Sequence, residues 1–431
     1  MIFSGVTATS CSSEPERKAT HLAACLTGVV DRDRHVDEAR FRSQRKIAYA
    51  FRDELRDLQA AARSRDCGWR KVRDTVDLSK GADGRCGWHG LLTCGSPWVC
   101  FVCMRPKCAS DAADLNAMVT HHGFDRTLLG SFTVRHERED TCGGEEPGER
   151  LKSFRRKLTE CFTKLLQGKG WVKLQKRLGV VALVRAIDIT YGESNGFHAH
   201  LHPLFLLKSK HSSRRGRDVV KRLSAALFVR WCGIVRRHMG ERFVPSEEHG
   251  IVLKPCYKAD YLVKMGLGLE LTAGYAKRGK NGNMSMFQVA ERIVAGEEHL
   301  RGVWRDYSAG MFRAKQLTWS KEATAILEAA LAKTPEKEAS ELGEPTVLVS
   351  FDNEEWRVAR RKLRGVNAAL LMQAGEDGGK AAVRLSLTNL LGQPPSEKLV
   401  RVPATGGDRE LMIDCTGGSR PKVDEWWVEE P

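Results

Sequence analysis

The chain is 431 residues long, 42% apolar and 29% charged, and carries a formal net charge of +16. That length supports two or three domains of about 100 to 200 residues each, and the positive excess points to a polyanionic partner, nucleic acid ahead of acidic protein. No run reaches the roughly 20 apolar residues of a membrane-crossing helix, and the opening Met1-Ile-Phe-Ser-Gly-Val-Thr-Ala8 lacks the basic start and apolar run of a secretory signal, so the expected location is the cytoplasm.

Residues 1–80 are polar and basic, with a predicted helix from Asp37 to Ser64 in which Phe41, Ile47, Phe51, Leu55 and Leu58 recur at near-helical spacing. A Gly-rich segment from Arg85 to Cys108 follows, holding five of the thirteen cysteines. An odd total with one dense cluster suits a metal site in a reducing compartment better than a disulfide framework. Cys86, Cys94, Cys100 and Cys103 give C-x7-C-x5-C-x2-C, with Cys108 and His89 in reserve. The Cys100-Phe-Val-Cys103 knuckle lets two thiolates converge on a tetrahedral Zn²⁺. A structural zinc is therefore expected, against a catalytic thiol or plain buried cysteines.

Further along, Leu128–Val134 reads as a strand, and the loop Thr141-Cys-Gly-Gly-Glu-Glu-Pro-Gly148 interrupts the pattern. Leu151, Phe154, Leu158, Phe162, Leu165 and Leu166 share one helical face. Val180–Thr190 and Phe197–Leu207 are strand candidates joined by the turn-rich Gly192-Glu-Ser-Asn-Gly196, which predicts a β-hairpin. Alternation in a strand puts His198, His200 and His202 on one face, about 7 Å apart in sequence order. Three imidazoles there can gather around a cation, against the alternative of a polar strand surface. A turn centred near Ser194 and Asn195 brings Asp188 across to His200 and His202, as a possible oxygen ligand. Mixed imidazole and carboxylate donors suit Mn²⁺ or Mg²⁺.

Val219–Met239 forms a basic amphipathic helix, and Tyr257–Met265 a shorter one after Pro255. On that second helix Tyr257, Tyr261 and Lys264 stack at i, i+4 and i+7. A phenol of reference pKa about 10 is a weak nucleophile unless a cation or metal favours the phenolate; the competing reading is a packed tyrosine and a solvated lysine. Lys208, Lys210, Arg214, Arg215, Arg217, Lys221 and Arg222 follow the histidine strand, where they would contact phosphates or form a solvated loop. Gly274-Tyr-Ala-Lys-Arg-Gly-Lys-Asn281 misses a phosphate loop, because Asn281 cannot supply the magnesium-binding hydroxyl. A Lys/Glu/Ala-rich connector leads to a small C-terminal α/β region. The expected organisation is 1–80 basic helical region, 81–322 zinc segment and central domain, 323–344 linker and 345–431 C-terminal region.

Taken together, Gly196-Phe-His-Ala-His-Leu-His-Pro-Leu204 and, about fifty residues later, Tyr257-Lys-Ala-Asp-Tyr-Leu-Val-Lys264 resemble the HUH single-strand endonucleases, in particular plasmid rolling-circle initiators. Gly130-Ser-Phe-Thr-Val-Arg-His136 looks like their first strand, and Val184-Arg-Ala-Ile-Asp-Ile-Thr-Tyr-Gly192 like the strand entering their histidine hairpin. The resemblance runs from about Arg85 to Ser320. It implies an α+β fold with a ferredoxin-like or palm-like antiparallel sheet, nicking of single-stranded or hairpin origin DNA, a covalent 5′-phosphotyrosine, and a 3′-hydroxyl for a host polymerase working with a host helicase.

Carried over by position, the resemblance makes His200 and His202 metal ligands, His198 a neighbour or third ligand, Tyr261 the nucleophile and Lys264 a phosphate contact. Where many initiators have a glutamate, this chain has Tyr257, which implies a second tyrosine attack at termination or a packing residue. Pro203 departs from the pattern and predicts that the strand ends or bulges after His202. A single-strand transposase or mobilisation relaxase and a non-catalytic zinc-containing DNA-binding regulator remain as alternatives.

Overall fold

The computed structural model describes residues 34–211, 213–256, 282–332 and 344–392. The longer helices are α1 (Arg34–Glu54), α2 (Phe101–His122), α3 (Glu149–Leu165), α4 (Gly168–Leu178), α5 (Arg214–His238), α6 (Met286–Val294), α7 (Leu300–Gly310), α8 (Lys321–Leu331), α9 (Asn353–Lys362) and α10 (Val366–Leu391). The strands are β1 (Val76–Lys80), β2 (Cys86–His89), β3 (Thr127–Phe132), β4 (Val180–Gly192), β5 (Gly196–Leu207), β6 (Ile251–Pro255), β7 (Met284–Ser285), β8 (Leu317–Trp319) and β9 (Thr346–Phe351). No helix among the described residues is long and apolar enough to cross a membrane.

The central sheet is antiparallel throughout, in the order β6-β3-β5-β4-β7, with β8 also paired to β4. Its four main strands run β3-α3-β4-β5-α5-β6 along the chain, the β-α-β-β-α-β connectivity of a ferredoxin-like unit. Side-chain alternation sorts the sheet into two faces. Phe132, Leu201 and Phe205 bury one of them against Leu158 and Phe162 of α3 and Leu223, Leu227 and Trp231 of α5. Phe132 meets Phe162 and Trp231 edge-on at 5.4 and 5.5 Å, and the Trp231 indole donates to the Thr133 carbonyl. On the opposite face Ala182, Val184, Leu204 and Leu206 pack against Leu115, Met118 and Val119 of α2 and Ala323 and Leu327 of α8. The first part of the expected 323–344 linker, residues 323–331, thus lies in a packed helix.

The hairpin follows the sequence reading closely. Gly192 pairs with Gly196, Asp188 with His200 and Ala186 with His202. Gly196 closes it at φ +73°, and a Cβ there would sit 2.7 Å from both the Thr141 hydroxyl and the Cys142 thiol. Contrary to expectation, β5 continues through Pro203 to Leu207. Register with β3 is the same on both sides, Leu129 to Leu204 and Phe132 to Leu201. The neighbouring strand makes room: Gly130 has no side chain, and a Cβ on it would lie 2.9 Å from the proline ring. Proline costs a ladder donor here without breaking the strand.

A second sheet, β2-β1-β9, joins distant parts of the chain. The expected boundaries at 80/81 and 344/345 fall within or beside it, between the paired strands β1 and β2 and just before β9. Val76, Leu78, Cys86, Leu348, Phe351, Trp356 and Met372 form its core. α1 ends at Glu54 rather than running to Ser64, and the chain turns at Gln59, whose side chain donates to the Val99 carbonyl. Ile47, Phe51, Leu55 and Leu58 are nevertheless all buried, as their spacing requires.

Candidate metal centre and histidine face

Four thiols, Cys67, Cys94, Cys100 and Cys103, have their sulfurs within 4.8 Å of one another. Three of them are the expected ligands. The fourth is Cys67 and not Cys86. Cys86 pairs with Lys80 across β1 and β2, turns its side chain into the β2-β1-β9 core and donates its backbone N–H to Glu376. Burial pushes its thiol up to about 11. Cys108, held in reserve, is buried 3.9 Å from the Gln316 side-chain oxygen, and His89 pairs with Asp77 across the small sheet.

The sulfur separations suit a tetrahedral ion. Cys67 Sγ is 3.6 Å from Cys100 Sγ and 3.5 Å from Cys103 Sγ, near the edge of roughly 3.8 Å that four Zn–S bonds of about 2.3 Å would give. Cys100 caps α2 and Cys103 lies in its first turn, so the helix N-terminus faces the thiolates. Backbone N–H groups of Cys94 and Ser96 point at the sulfurs of Cys67 and Cys94, at 3.4 and 3.5 Å. Hydrogen bonds with Cys100, Cys103 and Cys94 hold the Cys67 thiol well below the ordinary range. The bond with Cys100 pushes the Cys94 thiol up, and the bonds with Cys103 and Cys67 push Cys100 up. Burial opposes the charge on Arg52, yet Asp53, Tyr49 and the thiols of Cys67 and Cys100 raise it overall, which places a fixed cation beside the cluster. This four-cysteine group can hold a metal ion such as zinc.

The histidines stand on β5 as a half-buried row between the buried Phe197, Ala199 and Leu201 of the other face. Ring centroids are 4.0 Å apart for His198 and His200, and 5.9 Å for His200 and His202. Asp188 stands directly opposite His200. A further imidazole joins them: His136 Nε2 lies 2.5 Å from His198 Nδ1, so one ring donates and the other accepts. His136 ends the segment Gly130–His136, where sequence alone gives it no role. Its position is fixed by the Arg135 N–H on the Phe243 carbonyl, by the Glu137–Asp140 capping box and by the edge of Phe154. Burial, then the nearby His136, holds His198 down to about 4 against the pull of Asp188, and burial lowers His136 as well. Both rings are therefore neutral at pH 7, the form that ligates metals. Among the described residues, however, the set of ligand atoms that converges within 4.8 Å is the cysteine group and not this row.

Tyr257, Tyr261 and Lys264, with the near-miss phosphate loop at 274–281, lie outside the described residues. The chain leaves toward them from Cys256, which is buried with Leu204 and Leu206 on the face that carries His200 and His202. Cys256 is held there by its N–H on the Thr127 carbonyl and by the His211 ring against its own carbonyl. Of the basic run, Lys208, Arg214, Arg217, Lys221 and Arg222 are exposed, and Arg215 lies on α5 with them. Lys210 pairs with Asp125 at 2.8 Å.

No family model matches the chain, and no solved structure matches it. It is 26% identical over 162 residues to a neomycin resistance protein of Streptomyces cyanogenus, covering 33% of this chain and 36% of that protein. It is also 23% identical over 347 residues to the "Protein rep" of Streptomyces lividans, and that similarity takes in 69% of this chain and 71% of the relative.

Proposed function

We propose that the chain initiates rolling-circle replication of a plasmid by nicking one DNA strand at the origin and rejoining it at termination. The observation that carries this reading is the row His198, His200 and His202 with Asp188 opposite, set on a β-α-β-β-α-β sheet. The similarity to a Rep protein over 69% of the chain supports it, as does the net charge of +16.

In this reading the protein is an HUH endonuclease. The donor set on the histidine face, two imidazoles two residues apart with a carboxylate on the paired strand, fits Mg²⁺ or Mn²⁺. Such an ion, when bound, polarises the scissile phosphate. Tyr261 attacks phosphorus, so that a phenolic O–P bond forms as the P–O3′ bond breaks and the departing 3′ oxygen takes up a proton. Lys264 steadies the phosphate, and Tyr257 receives the strand at joining. Lys208, Lys210, Arg214, Arg215 and Arg217 hold the backbone beside the nick. The four-cysteine site serves as a structural zinc, and host helicase and polymerase extend the freed 3′-hydroxyl.

The test is incubation of the purified chain with Mn²⁺ and single-stranded origin DNA, followed by a denaturing gel. A covalent protein–DNA adduct is expected with the wild type, and none with Tyr261→Phe. Equal adduct from both would overturn the assignment of the nucleophile. His200→Ala should lose divalent-dependent cleavage while keeping DNA binding.

A further inference from the structure

The outer surface of the α3–α5 layer carries a groove of about 1140 Å³ between α3, α4 and α5. Its basic side chains are Lys164, Arg177, Arg222, Arg230, Arg237 and His238, and among the described residues no carboxylate lines it. Ala226 and Gly233 put no long side chain into it, and Val229 is 73% exposed. Lys164, Arg177 and Arg237 have no ion pair among the described residues, whereas Arg222 shares Asp218 at 3.0 Å. Arg230 builds the groove: its guanidinium donates to the Leu165, Lys164 and Gln167 carbonyls, tying the end of α3 to α5.

Three cations with no ion pair among the described residues repel one another across one groove, and a polyanion relieves that repulsion. Among the described residues no Phe, Tyr or Trp lines the groove, so they give it no stacking platform of the kind single-stranded nucleic acid uses. Arg222 and Arg237 stand fifteen positions apart on α5, roughly 22 Å along a helix axis. That length matches about six phosphate steps of one duplex strand. The layer that bears the groove covers the face of Phe132, Leu201 and Phe205, opposite the one carrying His200 and His202.

We propose that this groove is a second nucleic-acid site that grips the phosphate backbone of double-stranded DNA, separate from the strand-cleaving face. The choice of DNA rests on the proposed replication function; the preference for backbone over bases rests on the lining alone. Apart from Arg222, none of these residues belongs to the basic run that follows the histidine strand in the sequence.

The experiment uses the full chain and the triple variant Lys164→Gln, Arg177→Gln, Arg237→Gln, all at exposed positions, with a charge-reversed Arg177→Glu, Arg237→Glu form as a second probe. Binding to a 30-base-pair duplex and to a 30-nucleotide single strand is titrated between 50 and 200 mM salt, and covalent adduct on single-stranded DNA is measured in parallel. The triple variant should bind the duplex about tenfold more weakly, or worse, with a salt slope smaller by roughly 3, about 0.9 per lost phosphate contact. Single-strand binding and adduct should stay at wild-type level.

Unchanged duplex affinity and slope in both variants would overturn the proposal, as would an equal loss on single strands. If the wild type forms no adduct while the duplex loss appears as expected, the groove stands and the nicking function fails.

Discussion

A serine at position 67 should release the metal, while a serine at position 86 should not. Cys67 completes the sulfur tetrahedron, and Cys86 packs beneath β1 and β9. Zinc content of the purified variants checks this: about one ion per chain for the wild type and Cys86→Ser, falling toward zero for Cys67→Ser under mild chelation. The sequence reading passes over Cys67, because Cys67-Gly68 and Cys86-Gly87 are the same dipeptide and Cys86 is nearer to the knuckle. The deciding fact is strand register, which turns Cys86 into a different core. His136 escaped for a related reason: it touches His198 only because the chain beyond β3 bends back to the hairpin. Gly130 offers a second residue-scale test. Alanine there forces its Cβ against the Pro203 ring and the Leu253 side chain, and thermal unfolding should show a loss of about 1–3 kcal/mol.

At the scale of elements, the hairpin was the most legible part of the chain. Period-two alternation and a turn of Gly, Ser and Asn specify both its faces and its register, and Asp188 falls opposite His200 as that arithmetic requires. Helices α3 and α5 were legible from their apolar stripes. The small sheet was not, since β9 lies about 270 residues beyond β1 and no local signal announces so distant a pairing. The basic groove was hidden for the same reason: its cations come from three helices, each of which alone reads as an ordinary solvated surface. Helix entry gives a quantitative check. Ser285 begins α6 with a reciprocal capping box to Gln288, so Ser285→Ala should cost about 1 kcal/mol in chemical denaturation. That helix follows directly on β7, the short strand that edges the histidine hairpin, and its fraying should also raise amide exchange at Met284 and Ser285.

Across the whole molecule, α1 and α10 are locked by Arg45 and Glu376, whose side chains meet at 2.5 and 2.8 Å. Burial alone would raise the Glu376 carboxyl, but Arg45, the Cys86 N–H and Arg42 together hold it below its ordinary value. A depressed carboxyl contributes stability above its unfolded pKa of about 4.3 and loses it as pH falls through the folded value. Glu376→Gln should therefore cost about 3 kcal/mol at neutral pH, and the gap between variant and wild type should begin to close near pH 4.3 and vanish at lower pH. Urea unfolding at a series of pH values measures it; a gap that persists undiminished into acid would show that the pair contributes nothing through its charge.

The pairing of β1 with β9 also sets an order of events during synthesis. β1 and β2 emerge from the ribosome early, but their sheet lacks its third strand until residues 346–351 have been made. At about 5–20 residues per second that interval is roughly 13–55 s. Until then the early hairpin presents an open strand edge and an apolar face to solvent, in want of a chaperone or of rapid translation. A nascent chain arrested before residue 346 should be digested by protease within the first hundred residues, and one released at full length should resist. A message cut short before the codons for 346–351 would therefore yield a chain whose small sheet lacks its third strand.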